Sequence, residues 1–352
     1  MHKERINTLQ FLKDLISIQS FSREEDQTAA LIQKVFTDNS VETKQHLNNV
    51  WAINKYYDAS KPTILLNSHH DTVKPNKGYT KDPFSPIEKD GKLFGLGSND
   101  AGGALTCLIA AFIHFYEETN LKYNLVMAAT AEEEISGKNG VESILTQLPT
   151  IDVAIVGEPT LMDLAVSEKG LLVIDGVAKG ISGHAAREEG DNAIYKAIKD
   201  IDWIQNYKFH KVSDTLGPMK MSVTIVNAGS QHNVVPDECT YTIDIRVTDA
   251  YTHEEVLEII DKNTLAEITP RSVRLKSSSI PMDHPLVKAG LELGRKTYGS
   301  PTLSDQAIIP VASLKIGPGD SARSHTADEY IYINELDEGV ELYIKLLEKV
   351  IL

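Results

Sequence analysis

Five separated fragments of this chain carry side chains that can bind metal ions, each where a predicted strand would give way to a loop. They are residues 68–73 (SHHDTV), 98–103 (SNDAGG), 131–134 (AEEE), 156–159 (VGEP) and 324–329 (SHTADE). Together they supply two imidazoles and three carboxylates, a set that would hold two divalent ions sharing one carboxylate. This pattern predicts a hydrolase that splits a bond with metal-activated water.

The bulk composition narrows the class of protein. A chain of 352 residues is long enough for two domains. Its net charge of −15 argues against binding to nucleic acid or to anionic membranes, which it would repel. The two cysteines, Cys107 and Cys239, lack metal-site or disulfide spacing. The N-terminus has no apolar signal core and no run of apolar residues could span a membrane, so we expect a cytoplasmic protein.

The first and last parts of the chain predict an α/β layer. Short continuous apolar strands at 64–66, 125–129 and 153–156 alternate with helical patterns, which is typical of a largely parallel sheet flanked by helices. Helices are predicted at 104–116, 286–298 and 335–352. Ligands of such sheets collect beyond the carboxyl ends of the strands, where the polar fragments fall.

The middle of the chain has a different pattern. Residues 171–177, 222–226 and 241–247 alternate like half-exposed antiparallel strands, with helical stretches at 192–206 and 252–265 between them. We therefore expect an inserted α+β domain over 168–276, with a four-stranded antiparallel sheet and two helices. The metal-binding domain is then discontinuous, over 1–167 and 277–352.

The residues themselves leave alternatives open at each candidate ligand. Residues two apart on a strand share a face, so His69 and Asp71 point together and His70 points away. This favours His69 as a ligand and Asp71 as the carboxylate that orients it, against a surface histidine at a strand end. Asp100, before two glycines and a predicted helix, is either a ligand or a helix N-cap.

The other candidates have ordinary alternatives too. The run 132–134 is either a metal-site pair, with one glutamate binding and one accepting a proton, or a solvated charge run. Glu158 could be a turn acid. His325 and His184 could each be solvated or structural histidines.

The five fragments in series resemble the M20 family of metallopeptidases and deacylases, dinuclear amidohydrolases that include acetylornithine deacetylase, succinyl-diaminopimelate desuccinylase, aminoacylase and glutamate carboxypeptidase. The resemblance covers essentially the whole chain, including the inserted domain. It implies that Asp100 bridges two ions, that His69 and Glu158 complete one site, and that Glu134 and His325 complete the other. It also implies Glu133 as the general base, in the register that best matches the family's pattern, with Asp71 supporting His69.

The same resemblance implies further features of the site. His184 would stabilise the oxyanion from the partner subunit of a homodimer formed through the inserted domain. The ions would be Zn²⁺, with Co²⁺ or Mn²⁺ as substitutes. Arg246, Asn233 and the amide of Gly319 would contact the carboxylate end of the substrate.

The resemblance is closest to the acetylornithine deacetylase branch, which implies removal of an acyl group from an amino acid in arginine biosynthesis. N-succinylornithine and N-acetylcitrulline remain alternative substrates. Desuccinylases for diaminopimelate carry an arginine after Thr-Ser-Asp-Gly/Ala, whereas this chain has 303–307 (LSDQA), without one. A dipeptidase, an aminopeptidase or another desuccinylase of the family is the second hypothesis. A catalytically silent binding or scaffold homologue is the third, and retention of all five ligands with Glu133 argues against it.

Overall fold

The computed structural model describes residues 6–352, so the charged N-terminal residues 1–5 lie outside the described residues. The chain divides into two compact units. Unit 1 comprises the residues up to Val166 together with Ser279–Tyr298 and Ser304–Leu352, and unit 2 comprises Ser167–Ser278 with Gly299–Leu303. The segment Gly299–Leu303 lies in unit 2, not in the discontinuous domain expected from the sequence. Within that unit the Lys169 N–H donates to the Ser300 carbonyl oxygen at 3.3 Å.

In the first half of the chain, the helices and strands are, in order, α1 (Thr8–Ile16), α2 (Asp26–Asp38), β1 (Thr43–His46), β2 (Asn49–Ile53), β3 (Thr63–His69), β4 (Ile87–Lys89), β5 (Lys92–Phe94), α3 (Gly103–Phe115), β6 (Asn124–Thr130), β7 (Val153–Val156) and β8 (Leu164–Glu168). The rest of the chain adds β9 (Gly170–Lys179), β10 (Gly183–His184), α4 (Ala193–Asn206), β11 (Lys220–Ala228), β12 (Val234–Val235), β13 (Glu238–Val247), α5 (His253–Asn263), β14 (Glu267–Pro270), β15 (Ser278–Ser279), α6 (Pro285–Glu292), β16 (Thr297–Ser300), β17 (Ser313–Lys315), β18 (Tyr330–Tyr332) and α7 (Ile333–Ile351).

The strands of the main sheet pair in the order β1-β2-β6-β3-β7-β17-β8-β15, and β16 also pairs with β8. Its four central strands β6, β3, β7 and β17 run parallel, β2 pairs antiparallel with β6, and β1 pairs antiparallel with β2. In register, Leu66 of β3 lies between Met127 of β6 and Ile155 of β7. The prediction of a largely parallel sheet flanked by helices is confirmed.

The central strands are apolar on both sides because both faces of the sheet are covered. On one face Ile64 and Leu66 pack into a large core with α1, α3 and α7. On the other face Leu65 and Val126 pack into a smaller core. Cys107, in α3, is a free, buried thiol in the larger core.

Two differences from the sequence-based elements have a local cause. The helix predicted over 286–298 ends at Glu292, and the chain then forms strand β16. Gly294 has φ +78°, and the Arg295 N–H donates to the Gly290 carbonyl oxygen at 3.0 Å. A glycine in this conformation ends a helix. The sequence analysis also missed the short edge strand β14, whose burial alternates between exposed and half-buried residues.

Unit 2 contains a four-stranded antiparallel sheet in the order β11-β13-β9-β14. Helices α4 and α5 share a core with it, built on residues such as Ile243, Ala197 and Ile260. Cys239 is buried in this core as a free thiol. The expected sheet and its two helices are therefore present.

Among the described residues, no helix combines the length and the apolar character needed to cross a bilayer.

The buried carboxylate of Asp200 joins three parts of unit 2. It is 1% exposed and accepts hydrogen bonds from the Tyr241 hydroxyl at 3.0 Å, the Leu265 N–H at 2.8 Å and the Ala266 N–H at 3.0 Å. Asp200→Ala would leave these donors without an acceptor, and each buried unsatisfied group costs about 1–3 kcal/mol. We expect unit 2 to lose on the order of 3 kcal/mol of unfolding free energy.

This loss can be measured by following urea unfolding through the fluorescence of Trp203. Trp203 packs against the core of unit 2. The only other tryptophan, Trp51, lies in unit 1 and can be replaced by phenylalanine in the parent protein. Asp202→Ala, at an exposed position of the same helix, is the matched control. Equal unfolding midpoints for the two variants would contradict the structural role of Asp200.

Candidate active site

Three of the five metal-binding fragments follow neighbouring parallel strands. His69 is the last residue of β3, Glu133 and Glu134 follow β6, and Glu158 follows β7. Because the carboxyl ends of parallel strands meet at one edge, these side chains converge there. The other two fragments arrive differently: Asp100 lies in a kinked turn before α3, and His325 follows a short 3₁₀ turn.

His69 lies at the centre of the cluster and is 1% exposed. Its Nδ1 lies 3.0 Å from the carbonyl oxygen of Asp71 and 3.4 Å from Asp71 Oδ1. In the neutral ring, that contact favours the tautomer whose Nε2 carries the lone pair. Nε2 faces three carboxylates: Asp100 Oδ1 at 3.3 Å, Glu158 Oε1 at 3.7 Å and Glu133 Oε2 at 3.8 Å. Burial opposes protonation, but the hydrogen bonds with Asp100 and Asp71 outweigh it and raise the pKa of His69.

A second group of potential ligands forms around His325. Its Nε2 lies 3.0 Å from Glu134 Oε2 and 3.6 Å from Asp100 Oδ2. The hydrogen bond with Glu134 raises the pKa of His325 to about 9. Asp100 therefore directs one carboxylate oxygen toward His69 and the other toward His325. It is not the N-cap of α3, because Gly102 holds that position.

The Asp71 carboxylate supports the residues of the cluster through hydrogen bonds. Its carboxylate accepts hydrogen bonds from the Ser22 hydroxyl at 2.6 Å, the Glu133 N–H at 3.0 Å and the Glu134 N–H at 3.2 Å. Burial alone would raise its pKa, but the hydrogen bond from His69 and the other donors leave the pKa of Asp71 below its usual value. One carboxylate thus fixes both the imidazole of His69 and the turn that carries two glutamates.

His70 belongs to a different environment. Its Nδ1 lies 2.8 Å from the Thr28 hydroxyl and its Nε2 lies 2.9 Å from the Asn48 carbonyl oxygen. Burial lowers the pKa of His70 to about 4, so the ring stays neutral at physiological pH. We assign it a structural role.

The donor atoms fit divalent metal ions in type and in spacing. A tetrahedral ion with bonds of about 2.0–2.2 Å holds its ligand atoms about 3.3–3.6 Å apart. Four distances from a histidine Nε2 to a carboxylate oxygen lie between 3.0 and 3.7 Å, two at His69 and two at His325. Two overlapping groups each have their ligand atoms within 4.8 Å of one another: His69, Asp100 and Glu134, and His69, Glu133 and Glu158. The chain therefore has a candidate metal centre at this edge of the sheet.

Glu133 and Asp305, at the border of the centre, lie where the ionised form of a carboxyl is disfavoured. Burial raises the pKa of Glu133 well above its usual value, and the negative charge of Glu158 adds to this. Burial also raises the pKa of Asp305 to about 6, although the Thr130 hydroxyl donates to Asp305 Oδ2 at 2.8 Å. Carboxyl groups placed this close together repel one another when ionised, and a bound cation would neutralise their charge.

Three of the residues expected from the sequence to contact substrate, His184, Asn233 and Arg246, lie in unit 2. His184 ends β10, pairs with Val234 of β12, and accepts a hydrogen bond from the Ala186 N–H on its Nδ1 at 3.1 Å. Asn233 is exposed, and its carbonyl oxygen accepts from the Ala185 N–H at 3.0 Å. Arg246 makes two hydrogen bonds with the Asp244 carboxylate, at 2.9 and 3.2 Å.

Gly319 lies in unit 1 and has φ +86°. A Cβ atom at this position would lie 2.4 Å from the side-chain oxygen of Asn99. Both the backbone conformation and the close approach therefore require glycine.

Comparison with known proteins decides the family. The model of peptidase family M20/M25/M40 matches residues 65–349 of the 352-residue chain. The chain belongs to this family. As an M20 protein it is a metal-dependent hydrolase that acts on amide bonds.

Curated relatives and solved structures are similar over most of their length. Acetylornithine deacetylase of Proteus mirabilis is 30% identical over 309 residues, covering 81% of this chain and 79% of the relative. Succinyl-diaminopimelate desuccinylase of Rickettsia bellii is 24% identical and covers 96% and 95%. Aminopeptidase PepT of Bacillus cereus has a TM-score of 0.76 at 19% identity, covering 97% of this chain and 98% of its own. A dinuclear metal binding M20 peptidase of Bacillus subtilis has a TM-score of 0.72 at 18% identity, covering 97% and 96%. The structural likenesses show the M20 fold.

The sequence analysis missed several residues that the structure places around the centre. These are Ser22, Asn99, Asp305 and Glu329. Ser22 lies far from Asp71 in sequence and gave no signal. The others lie in or near fragments that the sequence analysis identified. Asn99 directly precedes Asp100, and Glu329 is the last residue of the His325 fragment. Acidic or amide residues beside predicted ligands are the signal that could have found them.

Proposed function

We propose that this M20 amidohydrolase removes the acyl group from an N-acyl amino acid and that it is an acetylornithine deacetylase, with a place in arginine biosynthesis. N-succinylornithine and N-acetylcitrulline are the alternative substrates. The observation that carries the hydrolytic part is the position of Asp100, whose two oxygens lie near two different histidines. This supports two ions sharing one carboxylate, with His69 and Glu158 on one ion and Glu134 and His325 on the other.

Zinc is the proposed metal, since imidazole and carboxylate ligands suit it, with cobalt or manganese as substitutes. When bound, such ions make a coordinated water more acidic and polarise the amide carbonyl. Asp71 would orient His69 and the turn that carries Glu134, two of the side chains that would hold these ions.

Glu133 is the proposed general base. Its Oε2 lies 3.8 Å from His69 Nε2, at the border of the ligand cluster. Glu133 takes a proton from the attacking water as the oxygen bonds to the carbonyl carbon. It then delivers that proton to the amine nitrogen as the C–N bond breaks, which releases the acid and the free amino acid.

The proposed substrate class follows from one relative and from one segment of the sequence. The acetylornithine deacetylase relative supports an acyl ornithine. The segment 303–307 lacks the arginine expected for a second substrate carboxylate, which argues against succinyl-diaminopimelate. We propose that Arg246, Asn233 and the amide of Gly319 receive the single carboxylate of the amino acid.

We further propose a homodimer formed through the inserted domain. Strand β11 is an edge strand of the unit 2 sheet, so its outer backbone groups are available to pair with a second copy. Apolar side chains on it and on α4 are exposed, including Val226 at 52% and Tyr195 at 66%. An apolar face beside a free strand edge fits a symmetric interface.

The dimer gives His184 its proposed role. Because Nδ1 accepts the Ala186 N–H, the neutral ring carries its proton on Nε2. This N–H could donate to the oxyanion that forms in the active site of the other subunit.

A substrate panel tests the function. Zinc-loaded protein would be assayed with N-acetylornithine, N-succinylornithine, N-acetylcitrulline and a set of dipeptides. We expect the highest kcat/KM with N-acetylornithine. Preference for a dipeptide would replace the proposal with a peptidase, and no turnover of any amide with two ions bound would indicate a binding or scaffold protein.

Mixed dimers test His184. We expect His184→Ala and Glu133→Ala each to be nearly inactive alone. If His184 acts across the interface, a statistical mixture regains about a quarter of wild-type activity, because half of the dimers are mixed and each has one intact site. Recovery is measured after denaturing and refolding the two variants together. A mixture no more active than its components would assign His184 to its own subunit or to no catalytic role.

A further inference from the structure

Two candidate ligands, Asp100 and His325, lie on segments that are joined by a buried carboxyl. Glu329 is 1% exposed and four residues beyond His325. Its Oε1 accepts hydrogen bonds from the Asn99 N–H at 2.8 Å and the Asp100 N–H at 3.0 Å, and its Oε2 accepts one from the Gly97 N–H at 3.3 Å. The backbone that presents Asp100 is therefore held by a side chain from the His325 segment.

Asn99 makes the reciprocal connection. Its side chain is fully buried, and its Oδ1 accepts the Asp320 N–H at 3.0 Å. Its Nδ2 donates to the Asp320 carbonyl oxygen at 3.1 Å and to the Ser324 hydroxyl at 3.3 Å. Each segment thus places one buried side chain against the other. The residues that Asn99 contacts precede His325 in the sequence, and Glu329 follows it.

The two halves of the metal centre differ in how they are supported. His69 is the last residue of a central strand, and Glu158 follows another within two residues. His325 has no such strand next to it; it follows a three-residue turn, and its side chain is 54% exposed. Its position relative to Asp100 therefore depends on contacts between the two segments.

We propose that Asn99 and Glu329 form a clamp that positions Asp100 and His325 for the ion they share with Glu134. This inference rests on the proposed dinuclear site. Neither residue appears among the ligand groups, and each acts through a neighbour, so both are positioning residues. Removing either should weaken the ion at His325 more than the ion at His69 and Glu158, because the latter pair keeps its support from the sheet.

Release of bound metal tests the clamp. Zinc-loaded wild type, Glu329→Ala and Asn99→Ala would be titrated with a chelator, and the remaining ions counted. We expect wild type to hold two ions and each variant to bind one of them about 10–100-fold more weakly, the usual cost of removing a partner behind a metal ligand. Glu329→Gln should restore part of this loss, because its amide oxygen can still accept the Asn99 and Asp100 N–H groups. Glu338→Ala, at an exposed position of α7, is the control.

Cobalt-loaded protein gives a second readout that a general loss of stability would not produce. We expect the visible absorption of one cobalt site to change in the variants while the other stays as in wild type. Equal loss of both ions, or unchanged affinity in Asn99→Ala and in any folded Glu329 variant, would overturn the clamp. Wild type that holds fewer than two ions would instead overturn the proposed function on which it rests.

Discussion

Asp100→Asn is expected to abolish the binding of at least one metal ion and to lower kcat/KM by at least about 10³-fold, since metal ions contribute several kcal/mol to such reactions and each 1.36 kcal/mol is tenfold. The two oxygens of Asp100 lie 3.3 Å from His69 Nε2 and 3.6 Å from His325 Nε2. Asparagine keeps one oxygen but replaces the other with an NH₂ group, which cannot bind a cation. Metal content by elemental analysis and steady-state kinetics would measure both effects.

The control for this variant is Asp90→Asn. Asp90 is exposed in a turn with φ +53°, a conformation that asparagine also adopts readily. It should keep full metal content and activity. If Asp100→Asn retains two ions with wild-type affinity, Asp100 is not the shared ligand.

The three consecutive glutamates are expected to give three different results. Glu133→Gln should keep both ions and a similar KM while kcat falls about 10²–10⁴-fold, the usual contribution of a general base. Glu134→Gln should lose the ion near His325, because its Oε2 lies 3.0 Å from that imidazole. Metal content separates these two effects, and turnover alone does not.

Glu132→Gln is the matched control. The Glu132 carboxylate accepts a hydrogen bond from Asn139 Nδ2 at 2.9 Å and lies 3.8 Å from Arg23 Nε, so it is engaged away from the cluster. We expect near wild-type kcat. An active Glu133→Gln beside an inactive Glu132→Gln would show that the base has been assigned in the wrong register.

Much of the fold could be predicted because its patterns are local. The strands β3, β6 and β7 each contain a continuous apolar run. A central parallel strand requires such a run because both faces of the sheet are buried. The boundaries of the helices and strands were predicted less accurately. Gly294 was visible in the sequence, yet the apolar periodicity on either side of it predicted one helix, where the structure has a helix and a strand.

The site was less accessible than the fold because it is assembled from segments far apart in the chain. Strand ends predicted where His69 and Glu158 would gather. No local pattern predicted that a turn rather than a strand would carry Asp100, or that the carboxyl oxygens of Glu329 would accept hydrogen bonds from the backbone N–H groups of that turn. Such contacts depend on how loops pack, and a single sequence encodes this only through distant residues.

The most direct test of the central claim is a crystal structure of the zinc-loaded protein with anomalous diffraction recorded at the zinc edge. Two peaks about 3.5–4 Å apart are predicted, one near His69 and Glu158 and one near Glu134 and His325. Each should lie about 2.0–2.2 Å from a different oxygen of Asp100. A single peak, or two peaks of which neither contacts Asp100, would contradict the account.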